Sequence, residues 1–145
     1  HRRGFTVDYE MEDDVKGEAD ITLIAISAAR LNAQDAIKQL ATEGIRCHLI
    51  HAVWLKPFLL KESIRRSLDQ THLGLVIDSD FEMAAGGRSI AYELMHETSH
   101  PVHALGLEDR SAGFASRHDN GTPSAQQIVE RVRQTIRNRK TTPTL

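Results

Sequence analysis

The stretch His96-Glu97-Thr98-Ser99-His100 carries the residue types of a zinc hydrolase, two imidazoles four positions apart around a glutamate. On a helix, residues i and i+4 share one face, so such histidines can hold a metal while the glutamate takes a proton from bound water. Backbone chemistry argues against that use here. Pro101 follows His100 directly, and a residue before proline is biased away from helical angles. The helix should therefore end before its second ligand. Ile90, Leu94 and Met95 occupy the apolar face, which turns His96 towards solvent. No Gly-x-x-His continuation supplies a third ligand, although His103 is close in sequence. No metal is expected, and the pair reads as ordinary surface histidines.

A second chemistry is suggested by Ala84-Ala85-Gly86-Gly87-Arg88-Ser89, which follows one apolar run and opens a helical pattern. Helix N-termini attract anions, and glycine lets a phosphate approach the backbone closely. The run is neither Gly-x-Gly-x-x-Gly nor a P-loop, and no lysine follows the glycines, so tight packing of a turn explains it as well. Ser27 and Arg30, just beyond an earlier apolar run, would stand near it at a sheet's carboxyl edge. Ser27, Arg30, Gly86 and Gly87 are thus a candidate anion site. Nucleophilic catalysis has little support. Cys47 opens a buried run, where a core thiol is the ordinary reading. His48 and His51, three apart on a strand, face opposite sides. No catalytic residue is assigned.

These groups are positioned by alternating elements. Ile21 to Ser27 is a nearly continuous apolar run of the kind buried on both faces of a parallel sheet. Ala33, Ala36, Ile37, Leu40 and Ala41 then recur at helical spacing, and Gly44 supplies the stop. Cys47 to Val53 predicts a second strand, Lys56-Pro57 breaks it, and Leu60, Ile64 and Leu68 mark a helix. Leu73 to Asp78 predicts a third strand, Gly87 to about Thr98 a helix, and Val102 to Gly106 a short fourth strand. An irregular stretch runs from Leu107 to Pro123. Ser124 and Gln127 form a capping box for a last helix faced by Ile128, Val129, Val132 and Ile136. Phe5 to Glu10 alternates weakly and is a candidate extra edge strand, and Glu10 to Asp14 reads as a solvated loop. Strands alternating with helices imply right-handed βαβ units and a three-layer α/β domain.

The totals suit this. The chain has 145 residues, 40% hydrophobic and 26% charged, with a formal net charge of −2, enough for one domain and unfavourable to a general nucleic-acid surface. A single cysteine excludes an intrachain disulfide. No apolar run approaches the ~20 residues that cross a bilayer, and nothing resembles a signal peptide, so no membrane contact and a cytoplasmic location are expected. A chain opening on His1 rather than methionine is expected to be processed or excised.

In order, ADITLIAIS, an alanine-rich helix ending Glu43-Gly44, IRCHLIHAVWLKPF, and GLVIDSD before a Gly-Gly helix start form a recognisable pattern. So do Leu105-Gly106-Leu107-Glu108-Asp109 and the Pro123 to Ile128 helix start. The pattern resembles the C-terminal domain of transketolase-type enzymes, nearest to β-subunits of 2-oxo acid dehydrogenase E1 components. It departs at Asp78-Ser79-Asp80-Phe81-Glu82, where relatives often have adjacent glutamates, and in the stretch from Leu107 to Pro123.

The resemblance implies an α/β sandwich whose five-stranded, mostly parallel sheet carries one antiparallel edge strand. It divides the chain into a linker with that edge strand over 1–18, the domain over 19–138 and a tail over 139–145. In the family, thiamine diphosphate and magnesium sit between two other domains, and the diphosphate motif begins Gly-Asp-Gly, a triplet absent here. The chain is therefore expected to be an assembly domain that holds no cofactor and is inactive alone. Its expected partners are the remaining thiamine-binding domains or subunits, in a homodimer or heterotetramer, with the acyltransferase core of the E1 complexes as a further partner. Trp54, Phe58, Phe81 and Phe114 fall in predicted loops, with Met83 beside Phe81, and make a candidate interface. A stand-alone anion- or nucleotide-binding module is the alternative reading.

Overall fold

In a computed structural model, which describes residues 9–12, 17–52, 55, 58–83, 85–108 and 121–141, the chain folds into a five-stranded sheet between two layers of helices. The elements are β1 (Tyr9–Glu12), β2 (Ile21–Ile26), α1 (Ala29–Thr42), β3 (Cys47–Ala52), α2 (Glu62–Thr71), β4 (Gly74–Phe81), α3 (Gly86–Thr98), β5 (Val102–Leu107) and α4 (Ala125–Thr141). Strand order is β1-β3-β2-β4-β5. β2, β3, β4 and β5 run parallel, and β1 joins β3 antiparallel, with Tyr9 opposite Ala52 and Glu12 opposite Leu49.

The expected antiparallel edge strand is present but shifted. Phe5 to Asp8 lie outside the described residues, and Met11 and Glu12, read above as loop, pair with β3. The free edge of β3 offers backbone partners there, and ladder pairing overrides a locally acidic composition. β4 likewise outruns its apolar residues, continuing through Asp78-Ser79-Asp80-Phe81.

Alternation sorts the strands between two cores. Ile21, Leu23 and Ala25 of β2 face α1 and α4, together with Leu49, Leu75, Ile77, Ile128 and Val132. Ile24 and Ile26 face α2 and α3, with Ile50, Ile64, Leu68, Val76 and Leu94. Every residue of β2 is buried. The polar exception is Thr22, which must find partners inside the protein. Its hydroxyl lies 2.7 Å from that of Ser67 and 2.8 Å from that of Thr71, both on α2.

Helix ends follow the sequence signals. Gly44 takes φ +75°, and Gly44 and Ile45 donate their N–H groups to the carbonyls of Ala41 and Leu40, a Schellman stop. Ser124 Oγ accepts the Gln127 N–H at 3.2 Å, while Gln127 Oε1 accepts the Ser124 N–H at 2.8 Å, completing the capping box.

One glycine is fixed by a close approach. A Cβ on Gly106 would stand 2.6 Å from the Asp80 carbonyl oxygen and 2.7 Å from the Glu82 backbone, atoms that cannot rotate away. Gly106→Ala should therefore destabilise the domain by about 1–3 kcal/mol. Gly86→Ala, where a Cβ meets nothing within 4 Å, should instead be neutral or stabilise by up to about 1 kcal/mol. Denaturant midpoints of the two variants give the comparison.

Candidate functional site at the carboxyl edge of the sheet

α1 leaves β2 towards one face of the sheet, and α3 leaves β4 towards the other. The neighbouring carboxyl ends of β2 and β4 therefore form a topological switch point, the crevice where open α/β sheets place ligands. Ser27 follows β2 with φ 54°, and its carbonyl accepts the Arg30 N–H at 3.4 Å, a turn into α1. Gly86 and Gly87 open α3 beyond β4. The candidate anion residues are thus all at one edge, but the sheet divides them. Arg30 belongs to the α1 layer, whereas the two glycines belong to the α3 layer.

The N-terminus of α3 already holds an acidic partner. Asp78, buried at the end of β4, accepts the Gly87 N–H through Oδ2 at 2.9 Å. A Cβ on Gly87 would come within 3.1 Å of Asp78 Cβ and 3.2 Å of Oδ2. Glycine there gives Asp78 room for a close approach, and the positive end of the helix dipole meets a carboxyl group of the protein itself.

The histidine pair separates as its backbone dictates. α3 ends at Thr98, and Ser99 turns left-handed with φ 59°, its N–H donating to Met95. His96 lies stacked on Tyr92, ring centroids 6.2 Å apart and planes within 5°. His100 instead places Nε2 3.0 Å from Asp69 Oδ1 on α2 and its ring 5.0 Å from that of His72. The two imidazoles serve different neighbours.

Of the candidate interface, Phe58 and Phe81 are half-buried and Met83 is 62% exposed, whereas Trp54 and Phe114 lie outside the described residues. Two further apolar side chains stand at this edge: Leu31, 63% exposed in the first turn of α1, and Leu55, 41% exposed beyond β3. Sequence reading missed both. Leu31 was detectable, since it falls off the stripe of Ala29, Ala33, Ala36 and Leu40 that packs α1. Leu55 was hidden inside the Leu-Lys-Pro turn.

At the opposite edge, burial changes a titration. His48 Nδ1 lies 2.7 Å from Ser67 Oγ, extending the Thr22 network. Loss of water lowers the pKa of His48, opposed by a hydrogen bond from the ring to the Gly17 carbonyl. Cys47, next to it, is a core thiol as expected, pushed up to about 12 by burial and then by Asp20. Because the unfolded chain binds the His48 proton more readily than the folded one, this contribution to stability is intact above the ordinary value of 6.5 and shrinks as pH falls through it. Denaturation curves from about pH 8 to about pH 5 should show that loss. In His48→Gln the same interval should produce a shallower slope.

Comparison with known proteins adds a further observation. Residues 11–128 match the family model for the transketolase C-terminal domain. The chain is 32% identical over 85 residues to a pyruvate dehydrogenase E1 component subunit beta from Mesostigma viride, covering 59% of this chain and 25% of that protein. It thus spans about a quarter of that relative. Among solved structures, a split gene transketolase, described as an inactive beta4 tetramer, superposes with TM-score 0.66 at 22% identity, covering 84% of this chain and 40% of that one. A 2-oxoglutarate:ferredoxin oxidoreductase from Magnetococcus marinus gives TM-score 0.66 at 19% identity, covering 91% and 20%. At these identities the structural likeness shows the shared fold.

Proposed function

Because the chain belongs to the transketolase C-terminal domain family, we propose that it is the assembly domain of a thiamine-diphosphate-dependent enzyme of the transketolase or E1 β-subunit type. The observation that carries this reading is the carboxyl edge. Leu31, Leu55 and Met83 lie beyond three different strands and all expose large apolar surface there. Contact patches are built around such side chains, and the partner that fits them is the remainder of the same enzyme. A stable contact would bury about 800 Å² on each side.

Cofactor chemistry belongs, in this reading, to those other domains. The sequence has no Gly-Asp-Gly triplet, and among the described residues no three His, Cys, Asp or Glu side chains stand together as metal ligands. These residues do not fit a diphosphate–magnesium site, and no chemical step is assigned to them. Nor is any helix among the described residues long and apolar enough to cross a membrane. The split-gene transketolase of like fold is described as a tetramer of one subunit, and we carry association between copies over to this chain.

Calorimetry of the chain with thiamine diphosphate and magnesium should show no tight binding, and 2-oxo acids or ketose phosphates should not turn over. Micromolar affinity for the cofactor would refute the assignment. Mixing with the thiamine-binding domains should yield a complex. Leu31→Glu should weaken that complex by about tenfold or more while leaving the melting temperature of the free chain unchanged. Equal affinity of parent and variant would remove the carboxyl edge from the interface.

A further inference from the structure

We infer that neutral His48 keeps its proton on Nδ1, held there by a one-way chain of three buried hydroxyls, and receives a second proton on Nε2, beside the turn at Gly17. The inference does not depend on the assembly reading. It starts from Thr71, at the end of α2, whose Oγ1 lies 3.0 Å from the Ser67 carbonyl oxygen and 3.1 Å from that of Leu73. A carbonyl can only accept, and a helical threonine can give its proton to the carbonyl four residues back. The single proton of Thr71 is therefore already in use.

One proton per hydroxyl then fixes every other link. Thr22 Oγ1, 2.8 Å from Thr71 Oγ1, is the donor of that pair. Ser67 Oγ, 2.7 Å from Thr22 Oγ1, in turn donates to Thr22. At the 2.7 Å contact with His48 the serine oxygen therefore accepts, and Nδ1 carries the hydrogen. The reverse order, running from Thr71 towards Nδ1, leaves Thr71 without a proton for either carbonyl. The protonated nitrogen of an imidazole is set by its hydrogen-bond partners, and here those partners span β2, β3 and α2.

With the hydrogen on Nδ1, the lone pair of the neutral ring is on Nε2. The ring also meets the Gly17 carbonyl, an acceptor that gains a bond only when Nε2 is protonated. Among the described residues, charge near the ring is engaged elsewhere. On α2, Arg66 pairs with Glu62, Arg65 reaches Glu97 and Asp69 meets His100. β2 contributes no charged residue, and the β1 ladder stops opposite Leu49. At the turn, Arg46 Nη1 would stand 3.7 Å from a Cβ on Gly17, and Asp20 Oδ2 accepts the Arg46 backbone N–H at 2.8 Å. Gln70 Nε2 donates to the Gly17 carbonyl at 3.4 Å. A proton arriving at Nε2 thus acts on the segment before β2 and leaves the hydroxyl chain unturned.

A long-range proton–nitrogen correlation spectrum of the isotope-labelled chain at about pH 8 should show His48 with Nδ1–H and a bare Nε2. His48→Gln identifies its signals. Thr71→Val removes the acceptor of the Thr22 proton, so Thr22 should turn to Ser67, Ser67 to Nδ1, and the ring should invert to the Nε2–H tautomer. Thr71→Ser, which keeps the hydroxyl, should retain Nδ1–H. Thr22→Val cuts the same chain one link earlier and decides the matter should Thr71→Val fail to fold. On acidification the Glu18 amide, which shares a peptide unit with the Gly17 carbonyl, should shift with the His48 midpoint. A neutral parent ring protonated on Nε2 would overturn the inference, as would valine variants that keep the parent tautomer. So would acid shifts centred on the Ser67 and Thr71 amides, since these report a chain that turns over as Nδ1 takes the proton.

Discussion

The direction in which α3 leaves β4 shapes the carboxyl edge, and one close contact fixes where the helix starts. Asp78 Oδ2 receives the Gly87 N–H at 2.9 Å in a buried position, where the absence of a Cβ lets helix and strand close together. That contact satisfies a first-turn N–H of the helix, which buries Ile90, Ala91 and Leu94 on the face opposite α1, beside the switch point between β2 and β4. It also sets a carboxyl group of the protein against one N–H of the helix terminus. Large apolar side chains, Leu31, Leu55 and Met83, are exposed at the same edge.

Much of the fold was legible because its signals are local. The continuous apolar run of β2, the glycine after α1 and the Ser124–Gln127 capping box each follow from short-range chemistry, and each appears where the residues imply. The proline after His100 was equally informative, since it separated two histidines that a motif alone would join. What sequence could not supply was the pairing across the molecule. Met11 and Glu12 are strand only because β3 offers an edge. Arg30 and the two glycines are near in the sheet's long direction, yet the sheet keeps them apart. Leu31 stands out as exposed only when the packed stripe of α1 is known.

A buried polar assembly joins the sheet to α2. Thr22 sits in the otherwise apolar central strand, opposite His48 in the adjacent one, and both reach hydroxyls on α2. Thr71 also donates to the Ser67 and Leu73 carbonyls, and its own carbonyl accepts from Arg139 of α4. A hydrogen-bonded set of this kind fixes the register of a helix against a sheet in a way that apolar packing alone does not. It ties the amino edge together across both layers.

Arg131 of α4 donates to the Ala104 carbonyl of the edge strand β5 at 3.2 Å, and this contact has a temporal side. A ribosome completes β5 well before it reaches Arg131, so the carbonyl of Ala104 is without its guanidinium while α4 is still in the exit tunnel. Unpaired strand edges in partly made chains are where neighbouring polypeptides join by mistake. Docking of α4 is thus a closing step in biogenesis for this strand, since it takes the Ala104 carbonyl out of reach of a foreign one.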